Sequence, residues 1–287
     1  MSELEKSYLE SKNITRKFAK SFYLGSYFLD TEKRKISYVI YAFCRLTDDL
    51  VDENPEESVE VKQEKLRKLK LFLENKESLI TDFSSIKLAL VEVLQSYPQV
   101  IPYLLDLIVG VETDLFKNRF ENRLELDKYC YGVAGAVGLV MTEIIGYKDK
   151  KALDLADEMG KILQIINILR DVGEDLAGRN RLYLPKSDLD KYQVEIIDLK
   201  NKKITDNYKK LLIDYIAETR NRFLTAENGF DYLHKKNSLG LKLACNIYLE
   251  ILIEIEKNNY DNLNKRAKVS FFKKLIIIGK TFLHSFG

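Results

Sequence analysis

Apolar residues recur along this chain at three- and four-residue intervals, the period of helices that bury one face. The stretch 162–169 shows it well: Ile162, Ile165, Ile166 and Leu169 fall on packing faces, while Gln164 and Asn167 share a polar one. All four prolines, Pro55, Pro98, Pro102 and Pro185, stand where helices stop or start, and 1–54, 103–184 and 186–287 contain none. The pattern predicts helices near 5–28, 31–53, 58–79, 83–96, 102–120, 126–146, 150–176, 194–227, 230–257 and 260–284. Asp30-Thr31 and Ser58 fit helix starts, Pro102 fits a first turn, and AGRNRLYLP (177–185) reads as the clearest loop. With no fixed-period repeat, low-complexity tract or linker, the expectation is one all-α domain over 1–287.

Composition supports that class. Thirteen glycines and four prolines are about half of average usage (roughly 7% and 5%), too few turn residues for an all-β or α/β fold of this size. Charged residues make up 31% and apolar ones 46%, as in a folded soluble chain. A net charge of +2, with acids and bases mixed, lacks the footprint of a nucleic-acid binder. Cys44, Cys130 and Cys245 are odd in number and far apart, so they form no disulfide framework or CxxC site and suit a reducing cytoplasm. The first residues, SELEKSYLESKN, hold no apolar signal core. The run Leu275–Ile278 near the C-terminus is far short of the roughly 20 residues of a membrane span.

Two acidic windows change the picture. In YAFCRLTDDLVDE (41–53), Tyr41, Arg45, Asp48 and Asp52 share one helix face, and Asp49 and Glu53 add to the crowd of carboxylates. In QIINILRDVGED (164–175), Gln164, Asn167, Asp171 and Asp175 share another. Either acidic pair alone is ordinary for a solvated helix. Together, as hard oxygen ligands facing one another across a helical cavity, they suit Mg²⁺ shared with phosphate oxygens of a substrate. Such a cluster can bind and ionise a diphosphate. His234 and His284, the only histidines, sit near neither window, which argues against histidine base chemistry.

The segments AKSFYL (19–24), YAFCRLTDDLVDE (41–53), YCYGVAGAVG (129–138), NILRDVGEDLAGRNRLYLP (167–185) and IYLEI (247–251) resemble the squalene/phytoene synthase family, over essentially the whole chain. The resemblance implies an isoprenoid-synthase helical bundle around a central cavity. It implies Asp48, Asp52, Asp171 and Asp175 as Mg²⁺–diphosphate ligands, with Gln164 and Asn167 supporting the second pair. Arg45, Lys20 and Ser21 would hold diphosphate oxygens, and Tyr129 would stand near the reacting carbons. Tyr248 and Arg266 match C-terminal positions of the family in looser surroundings. Without the family, Lys20 and Arg266 read as surface bases and Tyr129 as a core aromatic. Gly132, Gly135 and Gly138 lack the GxGxxG order and favour close helix packing or room for a prenyl chain.

Family chemistry joins two prenyl diphosphates head to head through a cyclopropylcarbinyl diphosphate. The second motif has the phytoene/dehydrosqualene style, and the chain shows no C-terminal anchor of the eukaryotic squalene synthase kind. The expected product is therefore a C40 or C30 triene, phytoene or dehydrosqualene, made without NADPH as the first step of carotenoid biosynthesis. An NADPH-dependent squalene synthase, another prenyltransferase or cyclase of the same fold, and a non-catalytic lipid-binding scaffold are the alternatives. The choice between C15 and C20 substrates stays open. Gly25 and Ser26 would leave a deep pocket that Tyr38 could close, and Ser26→Phe would then shorten the product. In SFFKKLIIIGKTFLHSFG (270–287), Phe271, Leu275, Ile278 and Phe282 form a stripe beside Lys273, Lys274 and Lys280. Such a helix docks on its own core or lies peripherally on the inner face of a membrane.

Overall fold

Short polar side chains cap four of the helix starts. The Ser2 hydroxyl accepts from Glu5 N–H at the head of α1 (Glu3–Phe18), and Glu5 answers in a capping box. Ser58 caps α4 (Val59–Leu73), Asn122 caps α7 (Arg123–Cys130) and Thr205 caps α12 (Asp206–Ala226). The structure, a computed structural model, describes residues 1–76 and 78–286, apart from the side chains at 235–237 and 282–286. The remaining helices are α2 (Lys20–Gly25), α3 (Thr31–Asp52), α5 (Lys87–Ser96), α6 (Ile101–Glu112), α8 (Ala136–Ile145), α9 (Lys151–Arg179), α10 (Lys186–Lys191), α11 (Ile196–Lys200), α13 (Lys235–Lys257) and α14 (Phe271–Phe286). The described residues contain two isolated bridges and no strand, so the all-α class holds. No helix among them is long and apolar enough to cross a membrane.

Several predicted helices are interrupted, each where a functional segment leaves the helix path. The stretch 5–28 breaks at Ala19 (φ −126°, ψ 60°), which reorients Lys20 and Ser21 on the short α2. The stretch 102–120 ends as α6 and a single 3₁₀ turn, Thr113–Leu115. The stretch 126–146 is α7 and α8 joined by a π turn at Tyr131–Gly135. A β-carbon on Gly132 would lie 2.7 Å from the Gly110 Cα, so these two glycines let α6 and the π turn touch backbone to backbone. Helix α9 outruns its predicted end and takes 177–179 from the expected loop, stopping at left-handed Asn180. Helix α10 forms where none was predicted, and the predicted helix over 194–227 is broken into α11 and α12.

The largest departure is at the C-terminus, where a single helix over 260–284 is not formed. Residues 258–270 run as a strap across α9. Asn262 holds it: its carbonyl group accepts from Gly173 N–H, its side-chain amide donates to Leu169 O at 2.6 Å, and Tyr208 donates to its Oδ1 at 2.8 Å. Gly173 permits the crossing, since a β-carbon there would meet Leu263 O at 2.3 Å. Helix α14 then docks on α13 by burying Ile277 against Leu243 and Ile247.

The apolar core has two parts. One gathers around α3–α6 and α8, with Phe43, Phe83 and Leu104 fully buried; the other gathers around α9, α12 and α13, with Ile166, Leu212 and Leu252. A cavity of about 790 Å³ takes walls from both, including Ile40 and Met141 from the first and Met159 and Cys245 from the second. All three cysteines are buried free thiols.

Candidate active site

The two acidic windows fold as the helical period requires, on α3 and on α9. Of the residues singled out in the sequence, Asp48, Gln164, Asn167, Lys20, Ser21, Tyr248 and Arg266 line the cavity together. At this polar end the Asn167 amide donates to Gln164 at 3.3 Å, and its enclosed Oδ1 has no partner. The opposite end is apolar, walled by Leu155, Met159, Phe230 and Leu233 among others. Gly25, Ser26 and Tyr38 are not among these walls. Ser26 is buried against Tyr38, hydroxyl to hydroxyl at 2.8 Å, and Gly25 packs on Gly240. The expected deep pocket beside Ser26 is therefore replaced by one ending at α9 and the 227–233 turn.

Three of the four aspartates carry arginine partners. Asp171 is clasped by Arg170 Nε and Arg266 Nε, both at 2.7 Å. Burial alone would raise its pKa, but the two guanidinium groups outweigh burial and hold it below the usual carboxylate value. Asp52 accepts from Arg181 at 2.8 Å. Arg179 reaches Asp52 and Asp175 at 3.2 Å each, bridging α3 to α9 as a cation between the two windows. Asp175 is nevertheless pushed up to about 6, by burial first and then by Asp171. Arg45 turns to Asp49 and Glu53 and lies over the Phe18 ring at 4.4 Å, leaving its enclosed Nε without a partner. Tyr129 stands outside the cavity walls in a buried cluster described below, because its hydroxyl is taken by Asp114 at 2.9 Å.

Asp48 is the exception. Burial, reinforced by Asp52 and opposed by Arg45, pushes its pKa up to about 8, with Asp114 and Asp49 adding to the repulsion. An enclosed carboxylate this averse to ionising fits a cation better than solvent. The donors are all hard oxygens, as Mg²⁺ requires. Among the described residues no three acidic, histidine or cysteine side chains converge into a closed metal site.

Several functional side chains escaped the sequence reading. Arg170 lay inside a quoted motif, and its position next to Asp171 was its signal. Lys274 stood in the sequence only as a base beside the apolar stripe of the C-terminal helix, yet it lines the cavity and donates to Ser21 Oγ at 3.3 Å. Burial and the nearby Lys20 lower its pKa, as expected where cations gather to receive an anion. Arg179 and Arg181 stood in the predicted loop, where sequence gives no partner.

Known proteins resemble this chain in sequence and in fold. The squalene/phytoene synthase family model matches residues 15–273. A phytoene synthase of Arthrospira platensis is 35% identical over 95% of this chain and 91% of its own length. A 15-cis-phytoene synthase of Synechocystis is 33% identical over 99% and 87%. Among solved structures, a dehydrosqualene synthase in complex with ligand superposes with a TM-score of 0.85 at 30% identity, covering 98% of this chain and 97% of the other.

The raised Asp48 pKa yields a pH prediction. An unfolded aspartate titrates near 3.9, so the metal-free native state binds the extra proton between about pH 4 and about 8 and loses stability as pH rises through that window. Denaturation midpoints in chelator should therefore fall from pH 6 to 8.5. Asp48→Asn should flatten that fall, and an unchanged slope in the variant would refute the assignment. On the match over 15–273 and the aligned relatives, the chain belongs to the squalene/phytoene synthase family.

Proposed function

We propose that this chain, acting over 1–287 as one catalytic domain, joins two prenyl diphosphates carbon 1 to carbon 1′. The observation that carries the proposal is a single cavity, cationic and acidic at one end and apolar at the other. Lys20, Ser21, Lys274 and Arg266 surround the polar end as fixed donors for diphosphate oxygens. Asp48, Asp52, Asp171 and Asp175 would hold Mg²⁺, with Gln164 and Asn167 beside them. Bound magnesium supplies the positive charge that stabilises a departing diphosphate. Prenyl chains would lie along Met141, Met159, Phe230 and Ile251, where water is excluded from an allylic cation. The stacked Phe22 and Tyr41 rings, 5.8 Å apart at the boundary, offer π faces to such a cation.

The first diphosphate leaves, the C2–C3 double bond of the second substrate captures the cation, and a proton is lost to give a cyclopropylcarbinyl diphosphate. That intermediate ionises in turn, rearranges and loses a second proton, leaving a conjugated triene and two diphosphates. No reductant enters this balance. The likeness to phytoene and dehydrosqualene synthases supports a triene product. Purified protein with Mg²⁺ and no NADPH, given farnesyl or geranylgeranyl diphosphate separately, should release a C30 or C40 hydrocarbon with a triene spectrum. Hydrocarbon only on adding NADPH would mean a squalene synthase, and none under either condition a non-catalytic member.

We also propose that α14 rests on a lipid surface. It docks through Ile277 yet leaves Phe271 66% and Phe272 78% exposed beside the cavity mouth, with Leu275 and Ile276 also exposed. Phe282 and His284 fall outside the described side chains. The exposed apolar face is thus 271, 272, 275 and 276, and Ile278 packs toward the protein. Replacing Phe271 and Phe272 by Ser should lower co-sedimentation with anionic liposomes several-fold; unchanged binding would refute the contact.

A further inference from the structure

A buried cluster next to the first aspartate window has no part in the cavity wall. Asp114 sits in the 3₁₀ turn that ends α6. Its two carboxylate oxygens accept from two phenols, Tyr183 on Oδ1 and Tyr129 on Oδ2, at 2.9 Å each. The two rings stack at 5.1 Å and 19°, with Phe120 tilted against Tyr129 at 5.1 Å. Backbone pairing brings these groups together from distant sequence. Leu182 N–H donates to Asn118 O and Lys186 N–H to Phe120 O, both at 2.8 Å, laying the segment after α9 beside the segment after α6. That register aims Arg181 at Asp52.

Arg181 is shared between two acids. Its Nη1 donates to Asp52 Oδ1 at 2.8 Å and lies 3.9 Å from Asp114 Oδ2, while its Nη2 donates to the Asp114 backbone carbonyl at 3.1 Å. A guanidinium facing two carboxylates neutralises each less than it would neutralise one alone. The phenols matter for the same reason: each takes one acceptor site on an Asp114 oxygen and so weakens the hold of Asp114 on Arg181. Asp52 is thus oriented by Arg181 on Oδ1 and Arg179 at 3.2 Å on Oδ2, and each of these guanidinium groups is shared with a second acid.

We infer that Asp114 is a positioning residue, which by sharing Arg181 keeps Asp52 aimed and available to a divalent cation. The inference rests on the proposed function for the role of Asp52, but its first readout needs no turnover. Manganese binding in the presence of inorganic diphosphate would be measured by electron spin resonance on the full chain. Asp114→Asn leaves Arg181 with Asp52 as its one acidic partner, and manganese affinity should fall about tenfold, the usual scale for an outer partner of a metal ligand. Arg181→Gln removes the nearer cation, leaves Asp52 with Arg179 alone at 3.2 Å, and should bind manganese at least as tightly as the unmodified chain. The double variant should recover to within about threefold of it, a rescue that damaged packing alone would not allow. In turnover, Asp114→Asn should lower kcat about tenfold with KM for the prenyl diphosphate little changed, because Asp114 does not reach the cavity.

Unaltered manganese affinity in Asp114→Asn, or a double variant no better than that single one, overturns the inference. If Asp114→Asn does not fold, Arg181→Gln decides alone, and weaker manganese binding there overturns it. Unmodified protein that binds manganese but makes no hydrocarbon defeats the proposed function while leaving this test intact. Unmodified protein that binds no manganese defeats both.

Discussion

Like charges drawn out of water must be neutralised, and four aspartates on two facing helices impose that condition on the rest of the molecule. Arginines meet it for three of them. Arg170 and Arg266 clasp Asp171, Arg181 pairs with Asp52, and Arg179 spans Asp52 and Asp175. Much of the fold serves to deliver these side chains. The extended α9 carries Arg179, the segment paired with 118–120 carries Arg181, and the strap over Gly173 carries Arg266. Asp48 is left with its acidity suppressed, the position where an added cation would relieve the greatest strain on charge.

The same condition explains why the cavity is divided by polarity. Lys20, Arg266 and Lys274 gather where α2, the strap and α14 meet, because three chain breaks, at Ala19, after Lys257 and before Phe271, bring cations to the cavity from separate elements. The apolar end needs no such breaks. It is built from ordinary packing faces of α8, α9 and α13 and from the turn before α13, left unfilled between the two cores.

Local periodicity made the helical class and both aspartate faces legible, since placing Asp48 with Asp52 or Gln164 with Asn167 needs only the helix repeat. What stayed hidden depended on partners far away in sequence. The strap exists because Asn262 finds Leu169, Gly173 and Tyr208; the cluster Asn258, Asn259, Asp261, Asn262 and Asn264 signals a loop locally, but those distant partners were not legible. The rotation introduced at Ala19 turned Ser26 from the expected cavity wall into a buried bond with Tyr38. Arg179 and Arg181 looked like solvated loop charges because their acidic partners lie on α3 and in the turn after α6. Tyr129 was legible as a core aromatic, and the phenol's partner Asp114 was not.

The central claim is that Asp48 and the cations opposite form one receptor for a divalent metal and a diphosphate together. The most direct measurement is the denaturation midpoint with magnesium alone, inorganic diphosphate alone, and both, for the unmodified chain, Asp48→Asn and Arg266→Gln. A rise that needs both ligands in the unmodified chain, and is lost in both variants, is the predicted result. An equal rise in Asp48→Asn, or one given by diphosphate without metal, would contradict it.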